Sequence, residues 1–110
     1  MNKYGNRKVT MNGEQFDSIR EARRYSNLKL LERAGKIQHL ARQIKFELIP
    51  TQRDIETGKV VERACSYIAD FTYYENGRFV VEDCKGFRTE GYVIKRKLFY
   101  QKYGISIKET

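Results

Sequence analysis

The chain has little of several things: one proline, one histidine, two cysteines and no tryptophan in 110 residues. A single proline, Pro50, rules out a Pro-rich linker. Cys65 and Cys84 lack zinc-site spacing and have no short-range partner, which points to free thiols in a reducing compartment, the cytoplasm by default. His39 stands alone in a connecting segment and is assigned no role. No stretch approaches the ~18 apolar residues of a membrane span, and no basic amphipathic terminal helix is present. Met1 to Glu14 contains no apolar h-region, so no signal peptide is read there. There are no repeats and no low-complexity tracts.

Acidic residues are also in short supply. Fourteen Asp and Glu stand against 22 Lys and Arg, for a formal net charge of +8. A domain this basic and this small suggests a polyanionic partner, nucleic acid first. Eight Tyr and six Phe supply much of what a thin core needs. The length fits one domain, read as a flexible basic arm over residues 1–16 followed by a single domain over 17–110.

Along the chain, Asp17 to Ala34 reads as a helix. Asp17 or Ser18 can cap it, apolar residues recur at helical spacing, and Gly35 stands where a left-handed residue closes a helix. Gln43 to Ile49 alternates apolar and polar as a strand, ended by Pro50. Thr51 to Lys59 is a polar loop or mobile hairpin tip. Tyr67–Glu75 and Arg78–Lys85 are strand-like runs separated by Asn76-Gly77, the strongest short-range hairpin signal. Thr89 can cap a second helix that runs to about Tyr103 and stops at Gly104. Ile105 to Lys108 can form a short last strand.

The two-residue turn fixes a register. Glu75 lies opposite Arg78, Tyr73 opposite Val80, Phe71 opposite Glu82, and Asp70 opposite Asp83. Asp70, Asp83 and Lys85 then share one face, and Ala69, Phe71, Tyr73, Val80, Glu82 and Cys84 share the other. Opposed side chains stand ~4.5–5.5 Å apart, where like charges destabilise a sheet. A hard divalent cation such as Mg²⁺ supplies a reason for such a pair, since it takes carboxylate oxygens and keeps waters that can attack a phosphodiester. Lys85 could neutralise phosphoryl charge or position that water. The competing reading makes both aspartates solvated strand residues paired with lysines. A bulge would instead turn Glu82 toward the metal. Counting on, Cys65 and Cys84 lie too far apart for a disulfide.

Tyr67-Ile68-Ala69-Asp70-Phe71, a hairpin, then Val80-Val81-Glu82-Asp83-Cys84-Lys85-Gly86 resembles the PD-(D/E)xK, or restriction-endonuclease-like, superfamily. Asp70 matches the first acid, and Asp83 with Lys85 the (D/E)xK pair. Ala69 stands where the name-giving proline would be. Adding Ser18–Ala22, Leu31–Gly35 with Ile37, Gln43–Leu48 and Ile94–Phe99, the chain is similar over residues 16–107 to small phage-encoded proteins assigned as endonucleases and related to phage Holliday-junction resolvases. The resemblance implies an α/β (α+β) fold with an αβββαβ core, a mixed sheet flanked by helices. It also implies Mg²⁺ or Mn²⁺ as cofactor and a first-helix acid, here Glu21. Ser18-x-x-Glu21 equally reads as a capping box. The activity implied is hydrolysis of DNA phosphodiesters, branched or duplex, by a homodimer in the host cytoplasm, with no small-molecule cofactor. The dimer follows by analogy, because a junction asks for two cuts and one chain carries one site.

Arg20, Arg23 and Arg24 fall at i, i+3 and i+4 on the first helix, where cations oppose the helix dipole and so hint at an external anion. Lys95 and Lys97 on the second helix are further DNA-binding candidates, Lys95 near the scissile phosphate by family likeness. Arg7, Lys8 and the loop around Arg53 could clamp the backbone. Solvation is the plain alternative for each. Two rival functions remain: a non-catalytic basic nucleic-acid-binding module, and a basic protein that binds an acidic partner.

Overall fold

The computed structural model describes residues 8–84 and 87–110. In chain order these form β1 (Val9–Met11), β2 (Glu14–Phe16), α1 (Ile19–Arg33), β3 (Gln38–Ile49), β4 (Gln52–Arg53), β5 (Val60–Glu62), β6 (Cys65–Glu75), β7 (Arg78–Asp83), α2 (Glu90–Tyr103) and β8 (Lys108–Glu109). The central sheet has the order β3-β6-β7-β8 and is mixed: antiparallel between β3, β6 and β7, parallel between β7 and β8. With the small hairpins β1–β2 and β4–β5 set aside, the order is αβββαβ, the α/β arrangement expected. No helix of the described residues is long and apolar enough to cross a membrane.

Local chemistry sets the helix ends. Ser18 Oγ accepts the Glu21 N–H at 3.1 Å and opens α1. Thr89 Oγ1 accepts the Tyr92 N–H at 3.0 Å and opens α2. Gly104 closes α2 at φ 69°, the left-handed conformation that glycine adopts without steric cost. The β6–β7 register is the one counted from the Asn76-Gly77 turn, from Glu75↔Arg78 to Phe71↔Glu82. Both cysteines are free thiols.

Residues 8–16 depart from the flexible arm expected of them. Val9 pairs with Phe16 across a tight hairpin whose corner is Asn12-Gly13, both at positive φ. Phe16 is fully buried, its ring 5.3 Å from Tyr25 and 3.9 Å beneath the Arg42 guanidinium. The hairpin is thus pinned to α1 and β3 by one aromatic side chain. Residues 1–7, with Arg7, lie outside the described residues.

The two helices cover opposite faces of the sheet. Adjacent strand residues point to opposite sides. Glu82 meets Arg24 of α1, whereas Asp83 meets Tyr67, which packs on Tyr92 and Phe99 of α2. Two core clusters follow. Leu48, Tyr67, Ala69, Val81, Tyr92 and Phe99 lie on the α2 side, and Leu28, Ile37, Phe71 and Tyr73 on the α1 side.

Ala69 and Phe71 therefore belong to different clusters, contrary to the expectation that they share a face. Strand alternation breaks at Asp70. It breaks at the facing position of β3 as well, since Leu40 and Arg42 contact the α1 side while Phe46 and Leu48 join the α2 side. The pairs Arg42↔Phe71 and Ile44↔Ala69 bracket this point, which sets Gln43 opposite Asp70. Gln43 has φ 54°. A left-handed residue costs about 1–2 kcal/mol outside glycine, and here it coincides with both strands passing the core from one side of the sheet to the other.

Candidate active site

The acids gather at this crossover. The paired ladder of β6 and β7 ends at Phe71↔Glu82. One residue further, Asp70 Oδ2 accepts the backbone N–H of Cys84 at 2.8 Å. The Asp83 carboxyl lies beside that of Asp70. Asp83, only 1% exposed, accepts from the Tyr67 hydroxyl at 2.8 Å. That anionic partner, together with burial, pushes the Tyr67 phenol well above its usual range, burial being the larger cause.

Glu21 reaches the same place from α1. Its Oε1 accepts the Asp17 N–H at 2.9 Å, one residue before the N-cap Ser18, and so ties down the chain entering α1. Its Oε2 accepts the Gln43 amide at 3.0 Å, and the same amide nitrogen lies 3.4 Å from Asp70 Oδ1. The helix-entry role and the site role therefore fall on different oxygens of one side chain. Burial raises the Asp70 carboxyl above the ordinary range and the charge of Glu21 adds to this, while Asp83 and the Cys84 N–H oppose it. The Asp17 N–H, the Cys84 N–H and the Gln43 amide, which reach Glu21 and Asp70, are neutral donors.

Glu82 is placed differently. It is fully buried and its carboxylate is saturated: Arg24 Nε at 2.6 Å, Arg24 Nη2 at 2.9 Å, the Tyr73 hydroxyl at 2.7 Å and the Thr110 hydroxyl at 3.1 Å. Burial alone would raise its pKa. The Arg24 pair and the two hydroxyls outweigh burial and hold it below the usual carboxylate range. Glu82 thus ties β7 to α1 and to the chain end after β8, and it is Asp83 that meets Asp70.

Arg24, expected to face DNA, is bound into this buried pair. Arg20 and Arg23 are exposed, and with Arg24 and Cys84 they line an open depression beside the acids. Lys95 is half-buried and lines a second depression with Tyr67 and Tyr92, which puts it on the α2 side of Asp83. Lys97 is exposed and lines a separate depression with Arg96, Tyr100 and Ile107. Lys8 pairs with Asp17 at 3.6 Å. Lys85 and Gly86 lie outside the described residues. Sequence reasoning missed Gln43, which looked like an ordinary polar alternate of a strand, and Tyr67, whose hydroxyl meets Asp83.

Among the described residues, no group of three or more His, Cys, Asp or Glu side chains forms a metal cage on its own. The donor set instead offers two neighbouring carboxylates, Asp70 and Asp83, with a third, Glu21, beside them. Mg²⁺ is commonly held by one or two carboxylates with waters filling its other positions, so Asp70 and Asp83 fit that ion, with Glu21 next to them.

Residues 1–109 match one family model, nearly the whole length of the chain. The chain belongs to DUF1064, described as a protein of unknown function. Comparison with curated proteins and with solved structures gave no match. What this DUF1064 chain does has to be argued from its site.

Proposed function

We propose that this protein is a divalent-metal-dependent DNA endonuclease with Asp70 and Asp83 as its metal-holding acids and Glu21 beside them. The observation that carries the reading is the carboxyl pair itself. Two aspartates from adjacent strands lie side by side where the ladder ends, and Glu21 converges on them from a helix, joined to Asp70 through the Gln43 amide. Like charges so placed destabilise a sheet unless a proton or a cation offsets them. A bound Mg²⁺ or Mn²⁺ would supply an activated water and polarise the phosphodiester. Asp70 and Asp83 hold the ion, and Lys85, two residues beyond Asp83, is the cation of the (D/E)xK pattern.

The surroundings suit a DNA backbone. Arg20 and Arg23 stand exposed on one side of the acids and Lys95 on the other, and the chain carries +8 overall. Such charges give salt-dependent affinity with little sequence preference. The (D/E)xK pattern and the likeness to junction resolvases favour branched DNA, cut by a homodimer in the cytoplasm of a phage-infected host.

The test is incubation of the purified protein with labelled duplex, flap and four-way-junction DNA, with Mg²⁺ and with EDTA. The reading expects cuts near the branch that depend on Mg²⁺ or Mn²⁺. DNA binding without cutting under every metal condition would favour a non-catalytic nucleic-acid-binding module.

A further inference from the structure

Gln43 has a backbone that its own sequence context does not explain. Asn12 and Asn76 take positive φ in tight turns, and His39 does so where the β3–β6 register shifts. Gln43 does so between two pairs in unbroken register, Arg42↔Phe71 and Ile44↔Ala69. What the conformation achieves is visible in the side chain. Its amide nitrogen lies 3.0 Å from Glu21 Oε2 and 3.4 Å from Asp70 Oδ1, bridging α1 and β6. Strain of this kind persists where the surroundings over-determine it, and such places cluster at functional sites.

The chemistry of the bridge is selective. Glu21 and Asp70 repel each other, so something must hold them together. A lysine or arginine there would neutralise both carboxylates and remove the charge that draws a cation. A primary amide carries two N–H donors and no charge. It orients both acids and leaves their charge intact.

We propose that Gln43 is a positioning residue for the acid site: it holds Glu21 and Asp70 convergent for a divalent cation without neutralising them. This rests on the metal-dependent nuclease reading above and adds to it a residue outside the acid-lysine pattern.

Two variants separate side chain from backbone. Gln43→Gly accepts the left-handed backbone freely and deletes the amide. Gln43→Lys keeps a long side chain and puts an ammonium between the acids. Each is compared with the parent in three ways: thermal melting in EDTA, Mn²⁺ binding by calorimetry without DNA, and the Mg²⁺ concentration dependence of junction cleavage. Gln43→Gly should melt no lower than the parent, bind Mn²⁺ about 10-fold more weakly, and regain most of its cleavage rate at raised Mg²⁺, a loss in the range typical of outer partners of metal ligands. Gln43→Lys should lose Mn²⁺ binding more severely. If the parent binds Mn²⁺ and cuts DNA while both folded variants match it in Mn²⁺ affinity and Mg²⁺ dependence, the role of Gln43 is overturned and the nuclease reading stands. If the parent neither binds Mn²⁺ nor cuts, the nuclease reading falls and Gln43 with it. Should Gln43→Gly fail to fold, wild-type Mn²⁺ affinity in Gln43→Lys would overturn the proposal.

Discussion

Asp70 Oδ2 accepts the backbone N–H of Cys84 at 2.8 Å, so the first acid of the site holds the residue next to the second. One carboxylate thus serves both the sheet and the site, and its substitutions should separate the two roles. In Asp70→Asn the amide oxygen can still take the Cys84 N–H, so the fold should survive. Removing one of two crowded negative charges should raise stability in EDTA by about 0.5–1 kcal/mol, several degrees in Tm for a domain this small. Asp70→Ala loses the bond as well and should melt below Asp70→Asn. Thermal melts of both variants in EDTA check this, and an Asp70→Asn protein that melts well below the parent would contradict it.

The Glu82–Arg24 pair is structural and should behave so. Arg24→Ala leaves a fully buried carboxylate with only two hydroxyl partners, a loss of about 3 kcal/mol for a broken buried pair, allowing for the part of Arg24 that meets solvent. Glu82→Gln keeps the shape and should cost less. Urea unfolding measures both. Arg23→Ala, on an exposed side chain, should leave the unfolding free energy within about 0.5 kcal/mol of the parent.

The exposed Arg20 and Arg23, with Lys95, should instead govern DNA affinity. Binding of the parent to duplex and junction DNA should weaken steeply as salt rises, and each of Arg20→Ala, Arg23→Ala and Lys95→Ala should flatten the log–log slope by about 1. Fluorescence anisotropy across a salt series reads this directly. A slope unchanged by all three would move the DNA to another face.

Acid should weaken the end of the sheet. Glu109 accepts from the Tyr92 hydroxyl at 2.7 Å and pairs with Arg88 and with Arg96, the latter at 3.0 Å. Burial works against its charge, but these partners prevail and bring its pKa down to about 2. A carboxylate depressed in the folded state contributes its stability above the unfolded value of 4.5 and loses it as pH falls toward about 2. Arg88 is exposed and Arg96 partly so, so solvent screens both pairs and the contribution is small. The Tm gap between the parent and Glu109→Gln should therefore be a few degrees at pH 6, shrink below pH 4.5 and close as the pH falls toward 2.

Much of the fold was legible because local chemistry decided it. Thr89 and Gly104 bound α2, Ser18 starts α1, and Asn76-Gly77 sets the β6–β7 register residue by residue. The same turn chemistry stood at Asn12-Gly13, but a three-residue strand on either side offers little alternation, and the segment read as an arm. The burial of Phe16 against Tyr25 and Arg42 is a tertiary fact with no local sign.

Of the candidate site, the nearness of Asp70 to Asp83 was legible from register alone, and Glu21 was singled out by the resemblance. The face switch was not. Period-2 counting assumes an unbroken strand, and the break coincides with a left-handed Gln43, a residue type with no preference for that conformation. The partner of Arg24 was hidden for a related reason: helical spacing groups it with Arg20 and Arg23, and only the approach of Glu82 across the sheet separates it from them.

The most direct measurement of the central claim is the Mg²⁺-dependent cleavage rate of Asp83→Asn on junction DNA, set against the parent and a mock preparation from the same host. The account predicts that the parent cuts, that EDTA stops it, and that Asp83→Asn binds the same DNA at least as tightly yet cuts at the level of the mock. An Asp83→Asn protein that cuts as fast as the parent would contradict the assignment of Asp83 to the active centre.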